Sequence, residues 1–498
     1  MMQRRTLAWA GVLAAIGACS SSPPLAPDRG PDAAIPPDFL QVDGLSRDGP
    51  PLCDPARRCG AEWAAECTAG KIRTCQFDAS GCLMWTEPVA CPQPSCAGPA
   101  ECAGCTHACA PAGSTECSAG ALRTCQLAAG CLVWSMPSPC PTTTCAGPTA
   151  CVDTSSTAPI WVLHLSDLHF GDSAMSQAFA SVTGEVMPAV KPVITVATGD
   201  ITDDGGVFSN WTGYDAATGK VPAYPHYMEI SGNHDVKNGG APNYLLHTVT
   251  GKAGGGFYGQ AFVDSAVGRI RVMRTNTADT DVNPINVAGF FGDKQMNNLL
   301  ALSPGTVPIK HAIVLGHHPM TGILRLQAGS DARMQKVIDQ VGAKLYLCGH
   351  VHLPAVSWLK KTLVVQAASL GVSSPPSFAL VALDPSGPTA KIVPMSPTVK
   401  WPLVMVTSPA DAALGGTNPY AVTHSSPIDV RALAFAPSAV TAVEARLGEG
   451  QWQAMSDAGG YFAATLPLAG ATGTLKLEVR ATSGGVTASH VVSVNVGP

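Results

Sequence analysis

Short apolar runs alternate with longer mixed stretches through the middle of the chain, and this pattern predicts strands separated by helices. Five of the runs have the length of a buried strand: Ile160–Ser166, Val193–Thr198, Tyr227–Ser231, His311–Leu315 and Lys344–Cys348. The stretch Ser176–Lys191, which lies between the first two runs, is predicted to be a helix. Strands that alternate with helices are typical of an α/β fold.

Each predicted strand runs into a polar cluster beside a glycine. The clusters contain Asp167 and His169, then Asp200, then Asn233, His234 and Asp235, then His317 and His318, and finally His350 and His352. Side chains at i and i+2 of a strand point to the same face, so Asp167 and His169 should point in one direction. Ligand sites of open α/β sheets lie at the carboxyl ends of the strands, and we therefore expect the five loops to build one site.

The clusters read, in order, DLH, GD, GNHD, GHH and GHVH, and this series resembles the signature of the calcineurin-like metallophosphoesterases. The resemblance covers residues 158–396 and implies a four-layer αββα sandwich with two metal ions. It also implies the ligands, which are Asp167, His169 and His352 for the first metal, Asn233, His317 and His350 for the second, and Asp200 as the bridge between them.

The residue types agree with what the resemblance implies. Two ions about 3.5–4 Å apart need a shared carboxylate, and a hydroxide between them completes the bridge and attacks the phosphoester. Imidazole mixed with carboxylate suits Zn, Fe or Mn better than Mg or Ca. The resemblance also makes His234 the residue that meets the phosphate and helps to protonate the leaving oxygen, and the adjacent Asp235 would orient its ring. For His318 two roles stay open, support of the site or contact with the substrate, and we expect Cys348 to be a small core residue.

Differences between the motifs of this chain and those of two related families narrow the subclass that the chain resembles. Purple acid phosphatases carry a Tyr three residues after the bridging Asp, where this chain has Asp203, and they lack an equivalent of His169. Phosphoprotein phosphatases read GDxxDRG and GNHE, whereas this chain reads GDITDDG and GNHD. The motifs are most similar to the class III cyclic-nucleotide-phosphodiesterase-like branch, whose members hydrolyse diverse phosphodiesters and phosphomonoesters, and the substrate therefore stays open.

The composition of the chain and the completeness of its motif set limit the functions to be considered. Of the 498 residues 13% are charged, the formal net charge is -5, and no run of Lys and Arg exists, which disfavours nucleic-acid binding. We expect a metal-dependent phosphohydrolase that acts on a phosphodiester or a phosphomonoester. The alternative is a surface-attached binding or adhesion protein with a non-catalytic phosphoesterase fold. No ligand of the motif set is missing, which favours the enzyme.

Cysteines define the region before the central one. Of the 18 cysteines, 16 lie between Cys53 and Cys151 in two sets of eight with nearly equal spacing. They predict two tandem repeats, residues 53–102 and 103–152. Each repeat is too short to be stabilised by an apolar core alone, and disulfides form in exported chains, so we expect four disulfides in each repeat. The connectivity stays open. Zinc bound through Cys102 and Cys105 is the alternative.

The first residues predict export. Arg4 and Arg5 precede an apolar stretch, and residues 1–18 are predicted to be a signal peptide. The residues that end in Cys19 resemble the lipobox of bacterial lipoproteins, which implies a lipid on Cys19 and membrane attachment. Ser20 stands where an Asp would favour the inner membrane, so we expect an outer-membrane lipoprotein on the periplasmic side or the cell surface. Residues 19–52 are predicted to be a disordered tether.

The last hundred residues alternate in short runs between turns. The predicted strands are Leu403–Val406, Ile428–Phe435, Val440–Arg446, Tyr461–Leu466, Thr474–Ala481 and His490–Val496. Residues 400–498 are therefore predicted to form a β-sandwich, and they resemble Ig-like or fibronectin-III-like modules. No cluster of ligand-type side chains is visible there, so we assign this region no chemistry.

Overall fold

The computed structural model describes most of the chain from residue 156 to residue 497, with gaps at 172, 220, 222–225, 266, 279–287, 306–307, 374, 396–397, 426 and 469. Before that it describes residues 57, 59, 65–77, 83–91, 93, 95–98, 101–103, 108–109, 115–118, 121–128 and 131–139. The predicted signal peptide 1–18, Cys19 and the tether 19–52 lie outside the described residues. No described helix is long and apolar enough to cross a membrane.

The two predicted cysteine-rich repeats contain strands with the same pairing scheme. The first has β1 Ala65–Thr68, β2 Lys71–Phe77, β3 Leu83–Trp85, β4 Val89–Ala90, β5 Cys96–Gly98 and β6 Glu101–Cys102; the second has β7 Thr115–Ser118, β8 Ala121–Ala128, β9 Cys131–Trp134 and β10 Ser138–Pro139. Strand β2 pairs with β1, β3 and β4, and β8 pairs in the same way with β7, β9 and β10. The equivalent sheets support the duplication inferred from the cysteine spacing.

Disulfides also repeat between the two units. The described pairs are Cys59–Cys75, Cys67–Cys96 and Cys91–Cys102 in the first unit and Cys109–Cys125 in the second. The first and the last of these join equivalent cysteines that are 16 residues apart. Cys102 is held in a disulfide and is therefore not free for the zinc alternative. The full sets of four include cysteines outside the described residues and stay a prediction.

The central region contains two sheets that stack face to face. Its strands are β11 Ile160–Leu165, β12 Ile194–Thr198, β13 His226–Ile230, β14 Gly259–Ser265, β15 Gly268–Arg274, β16 Ile309–Leu315, β17 Leu345–Cys348, β18 Ala355–Leu359, β19 Thr362–Gln366, β20 Ser377–Asp384 and β21 Gly387–Pro394. The first sheet has the order β13-β12-β11-β20-β21, and the second has the order β14-β15-β16-β17-β19-β18. The five strands predicted from the apolar runs are confirmed as β11, β12, β13, β16 and β17, within two residues of the predicted bounds.

Helices cover the outer face of each sheet. They are α1 Ser173–Ser181, α2 Met187–Val190, α3 Phe208–Thr218, α4 Asn233–Val236, α5 Ala241–His247, α6 Val249–Lys252, α7 Asp293–Leu300 and α8 Ser330–Val341. The π-helical segment Val182–Val186 joins α1 to α2, and a 3-10 turn, Lys237–Gly239, follows α4. The predicted helix Ser176–Lys191 is therefore confirmed as the run from α1 to α2.

Alternation along the strands builds the layers, because successive side chains of a strand point to opposite faces. On the first sheet Leu163 packs with helical residues such as Trp211, while its neighbour Val162 packs with Ile313 of the second sheet. On the second sheet Cys348 points outward into the core under α7 and α8, as expected for a small core residue. The mixed α/β fold is confirmed, and the order helices, sheet, sheet, helices is consistent with the predicted four-layer sandwich.

The C-terminal region is rich in strands, as predicted. It contains β22 Leu403–Ser408, β23 Thr423–His424, β24 Ile428–Phe435, β25 Val440–Leu447, β26 Gln453–Ala454, β27 Ser456–Asp457, β28 Phe462–Leu466, β29 Gly473–Ser483 and β30 Val486–Val496. They form two sheets, β22-β24-β28-β27 and β23-β30-β29-β25-β26, around one apolar core. All six predicted strands are present, and the Ig-like assignment stays a prediction.

The C-terminal sheets pack directly against the central region. Met405 and Phe435 belong to the same apolar core as the first central sheet, and the rings of Phe435 and Trp161 lie 5.6 Å apart. Arg431 donates two hydrogen bonds, of 2.5 and 2.9 Å, to the carboxylate of Asp384 at the end of β20. The pattern of the sequence thus changes near residue 400, whereas one apolar core contains residues from both sides of this boundary.

Candidate metal centre

The loops that carry the predicted site residues lie at one edge of the stacked sheets. Strands β11, β12 and β13 run parallel in the first sheet, and β16 and β17 run parallel in the second, so their carboxyl ends coincide. Hydrogen bonds tie the loops together: the Asp167 N–H donates to Gly199 O (3.0 Å), and the His350 N–H donates to the Asp167 carboxylate (3.0 Å). The second of these bonds joins the two sheets at the site itself.

Five of the predicted ligands have a left-handed backbone conformation, with φ between 48° and 72°. They are Asp167, His169, Asp200, His350 and His352. Ten non-glycine residues of the described chain have positive φ, so these five make up half of them. The conformation costs an L-residue about 1–2 kcal/mol, and it persists where the surrounding structure enforces it.

This conformation corrects one sequence expectation. Asp167 and His169 were expected to point together because side chains alternate along a strand. Both lie beyond the end of β11 at Leu165, in turns with positive φ, so strand alternation does not aim them. The turns themselves direct the two side chains into the site.

The first predicted ligand set is in mutual contact. The Nε2 atoms of His169 and His352 lie 3.0 Å apart, and His352 Nε2 lies 3.2 Å from Asp167 Oδ1. Asp167 and His169 are buried, while the side chain of His352 keeps 33% of its surface exposed. The set therefore forms a buried pocket with one wall open to solvent at His352.

The second set gathers around His317. Its Nε2 atom lies 3.1 Å from Asn233 Oδ1, 3.2 Å from His350 Nδ1 and 3.2 Å from Asp200 Oδ2. On the other side of the ring, Nδ1 lies 2.8 Å from Thr198 O, which can only accept, so Nδ1 carries a proton. This bond fixes the tautomer and leaves the Nε2 lone pair facing the cluster, as metal-binding histidines require.

Asp200 belongs to both sets. One oxygen lies beside His317 Nε2, and the carboxylate also lies with Asp167, His169 and His352 in a group whose ligand atoms are all within 4.8 Å of one another. Its other oxygen accepts the backbone N–H of His234 (2.8 Å). A buried carboxylate shared by two groups of ligand atoms has the position that a bridge between two ions needs.

The donor set fits metal ions. The lone pairs of two imidazole nitrogens 3.0 Å apart, such as those of His169 and His352, repel each other unless a proton or a cation lies between them. Two such nitrogens, each about 2.0–2.1 Å from one ion as in Zn–N bonds, would subtend roughly 90–100° at it. Angles of this size occur between neighbouring ligands, so the spacing of the side chains suits a common ion.

Electrostatics keep the carboxylates in the form that binds metals. Burial alone would raise the pKa of Asp200, but charge on His317, with smaller effects of His234 and His169, holds this pKa well below its usual range. Burial likewise opposes charge on His317, yet Asp200 and Asp167 outweigh it and raise the pKa of His317 to about 9. An ion that binds His317 at neutral pH must therefore displace a proton.

His234 lies beside the clusters, and its ring is oriented by Asp203. Its Nδ1 atom lies 2.6 Å from the backbone oxygen of Asp203, and its ring stands edge-on to His169 with centroids 4.8 Å apart. The side chain is 30% exposed. Because a carbonyl oxygen only accepts, Nδ1 carries the proton, and Nε2 is the ring nitrogen left to meet a substrate.

The predicted role of Asp235 as the group that orients His234 is wrong. Asp235 is fully buried, and its carboxylate accepts the N–H groups of Gly232 (2.8 Å) and Thr202 (2.9 Å). Burial, together with repulsion by Asp200, raises the pKa of Asp235 to about 7. Asp235 therefore links the loop after β12 to the start of α4 through hydrogen bonds to the backbone of both segments, and in this way it supports the site.

Two motif glycines are required by close packing. A Cβ atom on Gly349 would collide with Ser166 Oγ and the Asp167 carboxylate, and one on Gly232 would collide with Asp200. Neither glycine has a positive φ, so space and not backbone conformation selects the residue. Gly232 and Gly349 thus allow loops from different strands to approach within contact distance.

Other residues take supporting places. His318 is buried, with Nδ1 2.9 Å from Thr277 Oγ1 and its ring centroid 4.2 Å from that of His350, so it backs the second set. Ser369 donates to the backbone oxygen of Asp167 (2.7 Å) and was not predicted. Asp203 was marked in the sequence by its position three residues after the bridging Asp200, but no signal indicated that its backbone carbonyl would bind the His234 ring.

Comparisons with known proteins agree with the geometry. Residues 160–354 match the family model of the calcineurin-like phosphoesterases. A mouse protein named Transmembrane protein 62 is 23% identical over 320 residues, which cover 58% of this chain and 47% of that protein. The chain thus spans about half the length of this curated relative.

Similar solved structures include GAP50, the anchor in the inner membrane complex of Plasmodium (14% identity, 47% of this chain and 84% of that chain, TM-score 0.37). They also include the purple acid phosphatase PPD1 from yellow lupin seeds (12% identity, 75% and 59%, TM-score 0.36) and the phosphoesterase YfkN from Bacillus subtilis (11% identity, 49% and 92%, TM-score 0.32). Residues 160–354, which are less than half of the chain, are thus similar to the calcineurin-like phosphoesterases, a metal-dependent family.

Proposed function

We propose that this protein is a dinuclear-metal phosphohydrolase that cleaves phosphodiester or phosphomonoester bonds. The observation that carries the proposal is the position of Asp200, whose buried carboxylate belongs to two groups of metal-ligand atoms. A lone ion would need only one of these groups. The calcineurin-like match over residues 160–354 supports the same reaction class.

The proposed ligands follow the two groups. Asp167, His169 and His352 would hold one ion, Asn233, His317 and His350 would hold the other, and Asp200 would bind both. Ions of the Mn, Zn or Fe kind would polarise the phosphoryl oxygens and activate water for the attack. The buried carboxylates and the Nδ1–H bond of His317 to Thr198 keep these side chains in place before any ion binds.

His234 is proposed to hand the proton of its Nε2 to the leaving oxygen, which requires the ring form that carries a proton on both nitrogens. It lies within ring contact of His169, it is partly exposed, and its Nδ1–H is engaged by Asp203 O, so its Nε2 is free to face the substrate. Its backbone N–H donates to Asp200, which fixes the distance between this ring and the shared carboxylate. The acid is thus held beside the ligands without belonging to either set.

The competing proposal is a surface binding or adhesion protein with the same fold. Loss of one or more ligand side chains would favour it, yet all seven residues occupy the positions described above. A complete and strained ligand set has no evident use in a protein that only adheres. We therefore favour the enzyme.

Export and membrane attachment are part of the proposal. The described disulfides are typical of proteins that fold in an oxidising compartment, which fits a periplasmic or cell-surface location. The lipid anchor at Cys19 rests on the sequence alone. A variant in which Cys19 is replaced by Ala should leave the membrane fraction if the anchor exists.

The test is metal reconstitution. Protein stripped with a chelator and reloaded with Mn, Zn or Fe should hydrolyse bis(p-nitrophenyl) phosphate or p-nitrophenyl phosphate. Asp200→Ala should lose bound metal, measured by elemental analysis, and should lose more than ~10⁴-fold in activity, since both ions lose a ligand. Asp264→Ala, which removes an exposed carboxylate paired with Arg269, is the matched control and should keep both.

Three results would contradict the proposal or part of it. Hydrolysis by fully metal-free protein would remove the metals from the mechanism. Metal-loaded protein that binds two ions and hydrolyses none of the esters would instead favour the binding protein. Asp200→Ala with a full complement of metal would show that this carboxylate is not the bridge.

A further inference from the structure

A pocket of about 390 Å³ adjoins the metal centre at His352. Its walls are apolar and include Leu353, Pro354, Ala368, Val372, Ile392 and Pro394. Apart from the imidazole of His352, no titratable side chain lines it among the described residues. Its volume lies at the lower end of the range for small-molecule sites, which is enough for one ring system or a short branched chain.

The wall of this pocket is fixed to the metal centre by two serines. Ser369 Oγ donates to Asp167 O (2.7 Å) and accepts the backbone N–H of Val372 (2.8 Å). Ser373 Oγ donates to His352 O (2.7 Å). The loop that contains Val372 is therefore hydrogen-bonded to the turns that carry the predicted ligands Asp167 and His352. These bonds fix the position of the pocket wall relative to the two ligands.

The mouth of the pocket is apolar and open. Leu353 is 61% exposed and Val372 is 44% exposed, and Leu353 follows His352 directly in the chain. Large exposed apolar side chains next to a polar site are typical of ligand-binding edges. Ala368 and Ser377, by contrast, are almost fully buried and lie deeper.

The pocket lies away from the proposed acid. The ring of His169 stands between the rings of His352 and His234, with centroid distances of 4.9 and 4.8 Å. A leaving group that takes its proton from His234 departs on the His234 side of His169. The pocket at His352 is then placed for the substituent that stays on phosphorus.

We propose that this pocket binds an uncharged apolar substituent of a phosphodiester. The inference rests on the proposed phosphohydrolase function. In the reaction a water oxygen forms the new P–O bond, the bond from phosphorus to the leaving oxygen breaks, and that oxygen takes a proton. The products are an alcohol and a phosphomonoester that retains the apolar substituent.

The test compares esters that share one leaving group. Phenyl p-nitrophenyl phosphate and methyl p-nitrophenyl phosphate differ only in the substituent that stays on phosphorus. The kcat/KM of the wild-type enzyme should be about 10-fold or more higher for the phenyl diester, since a filled apolar pocket discriminates by factors of this order. Equal values for the two diesters would overturn the proposal.

Two variants test the pocket itself. Leu353→Ser at the mouth and Ala368→Leu in the interior should each lower the ratio of the two kcat/KM values at least several-fold. Leu353 is exposed, so its replacement should not impair folding even if Ala368→Leu does. Val422→Ser removes an equally exposed apolar side chain of the C-terminal region, and it should leave the ratio unchanged.

A binding measurement separates this proposal from the enzymatic one. 2-Naphthol, a ring system with one hydroxyl, should bind the wild-type protein in ligand-observed NMR, and Leu353→Ser should weaken it. Val422→Ser, the control on the C-terminal region, should leave the binding of 2-naphthol unchanged.

The outcomes separate the two proposals. Binding of 2-naphthol without hydrolysis of any ester would keep the pocket and overturn the phosphohydrolase. Hydrolysis of both diesters at equal rates, without 2-naphthol binding, would keep the phosphohydrolase and overturn the pocket.

Discussion

The loops of the candidate metal centre and the turns of the C-terminal sheets use the same rare backbone conformation with different residues. Between residues 401 and 497 every described residue with positive φ is a glycine, as at Gly415, Gly448 and Gly484. At the metal centre the same conformation is adopted by Asp167, His169, Asp200, His350 and His352.

The difference follows from what each turn has to do. A turn that only reverses a strand needs positive φ and no side chain, so glycine adopts it without steric strain. A turn that must aim a carboxylate or an imidazole cannot use glycine, and its strain of about 1–2 kcal/mol per residue has to be offset by the packing around it. The strained residues thus mark the part of this chain where side-chain direction matters more than stability.

The largest effect expected in this comparison concerns a residue outside the strained set. His234 has no positive φ, and it belongs to neither ligand group that includes Asp200 or His317. His234→Ala should leave bound metal unchanged and lower kcat by roughly 10²–10⁴-fold, as for loss of a general acid. The loss should be smaller with p-nitrophenolate as leaving group than with an alkoxide, because the better leaving group needs less protonation.

Elemental analysis and steady-state kinetics on both kinds of ester check this. The matched control is His226→Ala, which removes an exposed histidine at the start of β13, the opposite end of that strand from the site. Loss of metal from His234→Ala would place this residue among the ligands. Near-normal rates on an alkyl diester would remove its role as an acid.

A smaller effect tests how firmly the two regions are joined. The Asp384 carboxylate is fully buried in the central region, and Arg431 of the C-terminal region pairs with it through two hydrogen bonds. Arg431→Ala leaves that carboxylate without a cation and should lower the free energy of unfolding by about 3–5 kcal/mol. Calorimetry should show the loss in the transition of the central region as well as in that of the C-terminal one.

The control is an ion pair with the same geometry on the surface. Arg333 also donates two hydrogen bonds to one carboxylate, that of Asp293, but this carboxylate is exposed to solvent and the Arg333 side chain is partly exposed. Arg333→Ala should therefore have a much smaller effect, because an exposed carboxylate is rehydrated when its partner is removed. Equal losses for the two variants would show that the buried pair does not link the regions.

The sequence predicted the strands that end in ligands better than it predicted the rest of the sheets. Strands β11, β12, β13, β16 and β17 are apolar runs that stop at a glycine and a polar cluster, so both pattern and chemistry marked them. Strands β14 and β15, and β20 and β21, were not predicted. They pair as antiparallel hairpins. Strands β14, β15 and β21 have no uninterrupted apolar run, so tertiary contacts decide them. Strand β20 does contain such a run, Phe378–Leu383, but no ligand-type cluster beside a glycine follows it directly.

The site residues were identified from motif order, while their orientation depended on local geometry that the sequence did not reveal. Asp235 was assigned to the His234 ring because the two are adjacent in the chain. They lie in the short helix α4, where neighbouring side chains do not face each other, so Asp235 points to Gly232 and Thr202 instead. The backbone carbonyl of Asp203 orients the His234 ring instead. Every residue type has a backbone carbonyl, so the sequence could not reveal this contact.

The smallest expected effect tests the strain directly, by comparing two substitutions at one residue. His352→Ala and His352→Gly both remove the imidazole, and they differ only by a Cβ atom at φ 60°. In metal-free protein the glycine variant should be more stable by about 1 kcal/mol, measured by urea unfolding, because glycine adopts this conformation without steric strain. Gly484→Ala, at φ 57° with open space around the new Cβ, should be destabilised by about the same amount. At Ala488 in β30, by contrast, Ala→Gly should be destabilising by ~0.5–1 kcal/mol, since extended backbone favours the larger residue. A His352→Gly variant no more stable than His352→Ala would mean that the turn at the metal centre is not strained, and the contrast between the two regions would then reflect side-chain chemistry alone.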